Sequence, residues 1–356
     1  MAFSDTLNVK NPIVYELELE NGGILKQSAL RDLTYKNAYY QGANLRIGWK
    51  QVSKNDKYNS LYNNPIYGVG LYSGTFNNDV IGNPFAIYGF VQVPLFEEHL
   101  NKKWSFDYRI GLGLSGNFKP YDKVDNPLNL AIGSSNNVFI DFGLRAQYRL
   151  QEKWKIGFGA SFHHFSNGAI SLPNRGINLV PVTVSISYRP HAVPVIPPKK
   201  IFQELDKKWT YDVNLGAGAK QLDADKDQRY FKATVGLYAS RSVHAKWRLG
   251  AGLDLFYSDS GNEREIAGKE AGAMNALFSG GPSFYIVHVL NERLWLNGNI
   301  GYYLHKQRFN GEVNNVFVRA GAKYYVYKNF NAGVSIKAHM GKADFVEWSL
   351  GYTFHK

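Results

Sequence analysis

The sequence contains no cysteine. Disulfides and thiolate metal sites are therefore excluded, and thiol usage gives no compartment signal. No apolar run approaches the ~18 residues that a transmembrane helix needs. Helical periodicity is hard to find anywhere along the 356 residues. The opening stretch MAFSDTLNVKN is not a signal peptide. An exported protein of this sequence is expected to begin as a processed or engineered form.

Other features are plentiful. Aromatic residues make up 15% of the chain, with 24 Tyr and 22 Phe, and there are 35 Gly. This mixture suits many antiparallel strands with aromatic interface positions. The net charge of +12 fits an acidic partner: nucleic acid, an anionic membrane or another acidic molecule. The length allows two ordinary domains or one large barrel.

The chain reads as segments of alternating residues broken by polar turns. In KWSFDYRIGLGLSG, Trp104, Phe106, Tyr108, Ile110, Leu112 and Leu114 share one face. Ser105, Asp107, Arg109, Gly111 and Gly113 share the other. In NVFIDFGLRAQYRL, Val138 to Tyr148 alternate in the same way against Asp141, Arg145 and Gln147. A period of two marks β-strands. They are about twice the usual ~5–6 residues of a soluble strand. That length matches the ~9–11 residues that cross a bilayer at a tilt. The apolar face is bulky and the polar face carries charge, which is the inverted sorting of a membrane barrel. A soluble lipocalin-like barrel is the competing reading. The fold class expected is all-β, a transmembrane antiparallel β-barrel.

Eight candidate strands precede residue 190, centred near Tyr15, Ile47, Leu71, Phe90, Ile110, Leu144, Gly159 and Thr183. Eight more follow, near Leu215, Val235, Leu253, Tyr285, Ile300, Ala322, Ser335 and Leu350. Between them lies RPHAVPVIPPKKIFQELDKK, rich in Pro and Lys and too long for a tight turn. Two tandem eight-stranded barrels are therefore expected: residues 1–190, a linker at 191–207, and a second barrel-like half at 208–356. One sixteen-stranded barrel is the alternative. The halves resemble distant repeats, KWKIGFGASFHHFSNG in the first against NFNAGVSIKAHMGKAD in the second.

Parity singles out one site. Ile156, Phe158, Ala160 and Phe162 form an apolar row that His164 and Ser166 continue. On the next strand Val180, Val182, Val184, Ile186 and Tyr188 form a row headed by Asn178. His164, Ser166 and Asn178 are thus expected on the lipid-facing side, near one end of two adjacent strands. Residues two apart on a strand are separated by about 6.6 Å, and cross-strand neighbours by about 5 Å. A Ser–His–Asn hydrogen-bond chain is sterically feasible. Polar groups facing hydrocarbon are costly unless paired or near the interface. The structural alternative is that these positions have left the hydrocarbon zone. His163 falls on the opposite face, so the two histidines cannot share a metal ion. No metal or cofactor is expected.

The run HFSNGAISLPNRGIN, His164 to Asn178, resembles the signature of the PagL-type outer-membrane lipid A 3-O-deacylases. That signature reads His-x-Ser-Asn, a short loop, then Pro-Asn-x-Gly-Ile and an acidic residue. The resemblance extends more loosely over residues 1–190. It implies an eight-stranded outer-membrane barrel whose wall-mounted site cleaves an ester-linked acyl chain of lipopolysaccharide. It implies Ser166 as nucleophile and His164 as general base, with the third position orienting His164. Asn167, Gly168 and Asn174 fall where the family places its oxyanion-stabilising loop. With a periplasmic N-terminus that loop is extracellular, at the leaflet that holds lipid A. The expected partners are then membrane and lipid A, not nucleic acid, and the basic balance suits lipid A phosphates.

One position departs from the pattern. Asn178 stands where the family has an acid, and an amide can orient an imidazole but cannot offset its charge. The second half lacks the signature. His339 faces inward with Lys337, and Gly341 stands where a serine would follow. The competing functional reading is a non-catalytic outer-membrane barrel with a scaffold or partner-binding role.

Overall fold

A computed structural model describes residues 12–25, 39–52, 56–76, 79–98, 102–190, 207–339 and 341–355. Residues 191–206 of the expected linker lie outside the described residues. The first eight strands are β1 (Ile13–Ile24), β2 (Tyr39–Lys50), β3 (Ile66–Thr75), β4 (Gly82–Pro94), β5 (Trp104–Phe118), β6 (Asn137–Arg149), β7 (Trp154–Ser166) and β8 (Ile177–Tyr188). The second eight are β9 (Trp209–Gln221), β10 (Arg229–His244), β11 (Trp247–Ser258), β12 (Phe278–Val289), β13 (Leu294–Tyr302), β14 (Val316–Tyr327), β15 (Phe330–His339) and β16 (Lys342–His355).

Strands β1 to β8 close into one barrel and β9 to β16 into another. The first closes where Tyr15 to Ile24 of β1 pair antiparallel with Tyr188 to Leu179 of β8. The second closes where β16 pairs with β9, Leu350 opposite Leu215. Both neighbours of β8 and both of β9 are thereby taken, which overturns the sixteen-stranded alternative. Contacts divide the chain into two compact units. The first holds residues 1–166 and 176–202, and the second holds residues 167–175 and 203–356.

The first barrel is sorted inside-out. On β8, Val182 is 68% exposed and its neighbour Thr183 only 3%. On β5, Leu114 is 60% exposed while Arg109 is fully buried. Outward rings gather at one rim, where Trp154 packs on Tyr188 and Trp104 on Tyr148. Such aromatics favour the membrane–water interface, where an amphipathic ring meets both phases.

Eight strands leave an interior just wide enough for side chains to fill it. Arg46 bonds Glu16 and Glu18, each at 2.8 Å. Arg109 bonds Asp141 at 2.6 Å and Glu18 at 3.1 Å. Arg145 bonds Glu16 at 2.5 Å and Asp107 at 2.9 Å. His163 Nε2 lies 2.9 Å from Glu20, and its Nδ1 lies 3.2 Å from Asp141 without hydrogen-bond alignment. Charges this deep persist only when paired, because each unpaired ion would cost several kcal/mol, roughly, in lost hydration.

Off the strands, Glu98 gathers Lys50, Lys155 and Arg189 around one carboxylate. Burial alone would push that carboxyl up. The surrounding cations outweigh it and hold Glu98 well below the usual carboxylate range.

The second barrel repeats the scheme with other residues. Arg319 bridges Asp254 and Glu347, and Lys323 bonds Asp212 at 2.9 Å. Lys337 lies 3.1 Å from Asp344 and 3.3 Å from Glu312. His339 is buried against Tyr303, whose hydroxyl is 2.9 Å from its Nε2. Leu350 on the outer face is 70% exposed.

Candidate active site

The site begins with register. His164 of β7 stands opposite Asn178 of β8 and opposite Ile140 of β6, while Ser166 stands opposite Val138. The parity that turns Phe158 outward also turns His164 and Ser166 outward. Pro181 interrupts the β7–β8 ladder just below the site, since a proline has no N–H to give. Pairing resumes in the same register at His163 and Leu179, so Asn178 is not displaced from His164.

Three side chains join into one chain of hydrogen bonds. His164 Nε2 lies 2.8 Å from Ser166 Oγ, and His164 Nδ1 lies 2.6 Å from Asn178 Oδ1. An amide oxygen only accepts, so Nδ1 must carry the proton. Nε2 is then the unprotonated nitrogen, and the serine hydroxyl donates to it. That is the tautomer a general base needs. His164 and Asn178 are half-buried and Ser166 is recessed, with 4% of its surface exposed. His163 takes no part, because it points into the barrel toward Glu20 and Asp141.

Sequence reasoning missed Gly176. Its φ is +75°, and a Cβ there would meet His164 Cε1 at 2.8 Å and the Phe165 carbonyl at 2.9 Å. Only glycine allows the chain to turn this close beneath the imidazole. A glycine two residues before Asn178 was the available signal. The Asn178 carbonyl accepts from the Leu25 N–H at 2.8 Å, which fixes the backbone on the other side.

The loop after Ser166 groups with the second unit. Gly168 and Ala169 both adopt positive φ, +64° and +63°. The Asn167 N–H donates to Asn174 Oδ1 at 3.0 Å, so it is already engaged. The Asn167 side chain closes the turn onto Ser171, donating to its carbonyl at 3.0 Å and accepting from its N–H at 3.3 Å. Asn174 Nδ2 is buried and has no hydrogen-bond partner among the described residues. Of the three loop residues expected to stabilise an oxyanion, Asn167 thus spends its groups shaping the loop, and Asn174 keeps an unused donor. Among the described residues no group of His, Asp and Glu is arranged to hold a metal ion.

Two family descriptions match the chain. Residues 43–187 match "Lipid A 3-O-deacylase (PagL)", and residues 209–356 match "Acyloxyacyl hydrolase, C-terminal domain". No curated protein matches. Among solved structures, Neisserial surface protein A (NspA) is 9% identical, covering 50% of this chain and 96% of that one, with a TM-score of 0.34. The outer membrane enzyme PagL is 14% identical, covering 48% and 97%, with a TM-score of 0.31. With a deacylase model over its first barrel and an acyloxyacyl hydrolase C-terminal model over its second, this outer-membrane β-barrel protein belongs to the PagL family of lipid A 3-O-deacylases.

Proposed function

We propose that the protein hydrolyses an ester-linked acyl chain of lipid A, with Ser166, His164 and Asn178 carrying the reaction on the outer wall of the first barrel. The observation that carries this reading is His164 bonded on both sides, to Ser166 at 2.8 Å and to Asn178 at 2.6 Å. A structural role would not call for this chain on an outward row, where Leu or Val would suffice.

The steps follow from the tautomer. Ser166 Oγ attacks the ester carbonyl carbon while its proton passes to His164 Nε2. The carbonyl oxygen becomes an oxyanion, and the donors suited to it are the Gly168 N–H and Asn174 Nδ2. Collapse of the intermediate breaks the bond to the sugar oxygen, which takes the proton back from Nε2. The acyl-serine is then hydrolysed by a water that gives its proton to the same nitrogen. Asn178 holds the ring through its carbonyl but brings no negative charge to the imidazolium. The substrate already lies in the membrane, so a site on the wall need not extract it.

The test is mass spectrometry of lipid A from cells with and without the protein. Wild type should give a species lighter by one acyl chain, and Ser166→Ala and His164→Ala should not. Identical spectra from wild type and both variants would sink the reading.

A further inference from the structure

The segment between β5 and β6 reaches the candidate site through one carbonyl. Asn129, in that segment, is fully buried. Its side-chain amide makes four hydrogen bonds, which engage both of its donor hydrogens and both lone pairs of its oxygen. Nδ2 donates to the carbonyls of Lys119 at 2.7 Å and Val80 at 3.2 Å. Oδ1 accepts from the N–H groups of Ile132 at 3.2 Å and Ala131 at 3.3 Å. Ala131 is thereby pinned, and its carbonyl accepts from the Gly176 N–H at 3.1 Å. Gly176 is the residue that lies against His164. Ala131 and Ile132 belong to one buried apolar cluster with Phe165 and Ile177. Phe165 separates His164 from Ser166 along the chain, and Ile177 separates Gly176 from Asn178.

We infer that Asn129 is a positioning residue for the proposed deacylation: it fixes the Ala131 carbonyl, which holds Gly176 against the His164 imidazole and so keeps Nε2 on Ser166. The inference rests on the deacylase reading above. The physical case has three parts. Glycine has the least conformational preference of any residue, so a φ of +75° at Gly176 has to be imposed by its surroundings, and the Ala131 carbonyl is the group that takes its N–H. Ala131 itself lies outside the named strands, so its place depends on side-chain bonds, and Asn129 supplies one to it and one to the next residue. Proton transfer from Ser166 to His164 spans 2.8 Å, and a misplacement of ~1 Å in such a pair costs about 10²-fold in rate. Asn129 thus acts through Gly176 and not on the substrate.

The experiment uses the full-length protein in detergent micelles. Asn129→Ala removes all four bonds. Asn129→Ser restores an oxygen able to accept from the amides that follow it. Asn126→Ala is the comparison, because Asn126 is also buried but its side chain bonds the carbonyls of Val80, Lys119 and Pro120. Four readouts are taken on each: exchange of the Gly176 amide, the rate at which a lipophilic phosphonate labels Ser166, kcat and KM on purified lipopolysaccharide, and a heat-modifiability gel that confirms folded barrels. Wild type should protect the Gly176 amide. In Asn129→Ala that amide should exchange roughly 5- to 10-fold faster, and labelling and kcat should each fall roughly 3- to 10-fold, the scale of one lost hydrogen bond, with KM little changed. Asn129→Ser should recover toward wild type, and it carries the test by its smaller loss if Asn129→Ala does not fold. Asn126→Ala should stay within about twofold of the wild-type kcat. An unprotected Gly176 amide in wild type would overturn the inference. So would lost protection with unchanged labelling and kcat, or an equal loss of kcat in Asn126→Ala. If wild type is labelled at Ser166 but releases no fatty acid from lipopolysaccharide, the substrate reading fails while the labelling rates still decide the role of Asn129. An unlabelled Ser166 would sink both.

Discussion

Replacing Asn178 with aspartate should make the enzyme faster. In the proposed reaction His164 carries a positive charge in the transition state, and the group it meets on its far side is a neutral amide oxygen 2.6 Å from Nδ1. A carboxylate in that place would set opposite charges about 4 Å apart centre to centre, worth about 4 kcal/mol at an effective dielectric of about 20. Confining a carboxylate at this half-buried position costs half of that or more, roughly 2–3 kcal/mol after relaxation. The balance of about 1–2 kcal/mol converts to a rise in kcat of about 5- to 30-fold. KM should barely move, because the imidazolium exists only as the proton leaves Ser166. The assay is fatty-acid release from purified lipopolysaccharide, counted by mass spectrometry per mole of folded protein. His164→Ala combined with Asn178→Asp should show no gain over His164→Ala alone. A folded Asn178→Asp protein at or below the wild-type rate would refute the reasoning, because His164 would then not become charged beside residue 178.

Gly176→Ala should cut kcat at least tenfold, roughly, and lower the unfolding midpoint, since the new methyl meets His164 and the backbone is strained for any other residue; wild-type activity would remove Gly176 from the account. Arg109→Met takes from Asp141 its 2.6 Å guanidinium and from Glu18 one of its cations, and should cost about 3–5 kcal/mol, read from urea-dependent refolding into micelles. Val182→Arg places a charge midway along an outward row and should cost about 2–4 kcal/mol in lipid by the same measurement, whereas a soluble barrel would tolerate it. Glu98 titrates below its unfolded value, so its stabilising effect is complete above about pH 4.5 and fades as acid carries the solution down through its folded value. The acid-side loss of stability should therefore be shallower in Glu98→Gln, and an unchanged acid limb would count against the cation cluster.

Much of this molecule is legible in its sequence because a membrane strand states its own sidedness. Trp104 to Leu114 alternate without a break, and the burial along β5 follows them. All sixteen strand centres read from the pattern fall on strands. The grouping of His164, Ser166 and Asn178 was also legible, because parity and a cross-strand neighbour need only local arithmetic. Long-range pairing was not. Parity sends His163 inward, but nothing local says that Glu20, 143 residues away, will meet it. The loops were equally silent. The helix Lys57–Leu61, capped by Asp56, has no apolar period to announce it.

His163 and His164 are consecutive, yet one completes an ionic network and the other faces oil. A strand of period two has no tolerance for a shift in count. One residue inserted or deleted early in β7 would send His164 inward among the carboxylates and expel His163 into hydrocarbon, with Ser166 turned away as well. Evolution can lengthen or trim turns of such a protein that lie away from the site, and can exchange one apolar wall residue for another. Within β7, between Trp154 and Ser166, substitution is the only kind of change open to it, because the reading frame of the wall is also the reading frame of the proposed chemistry.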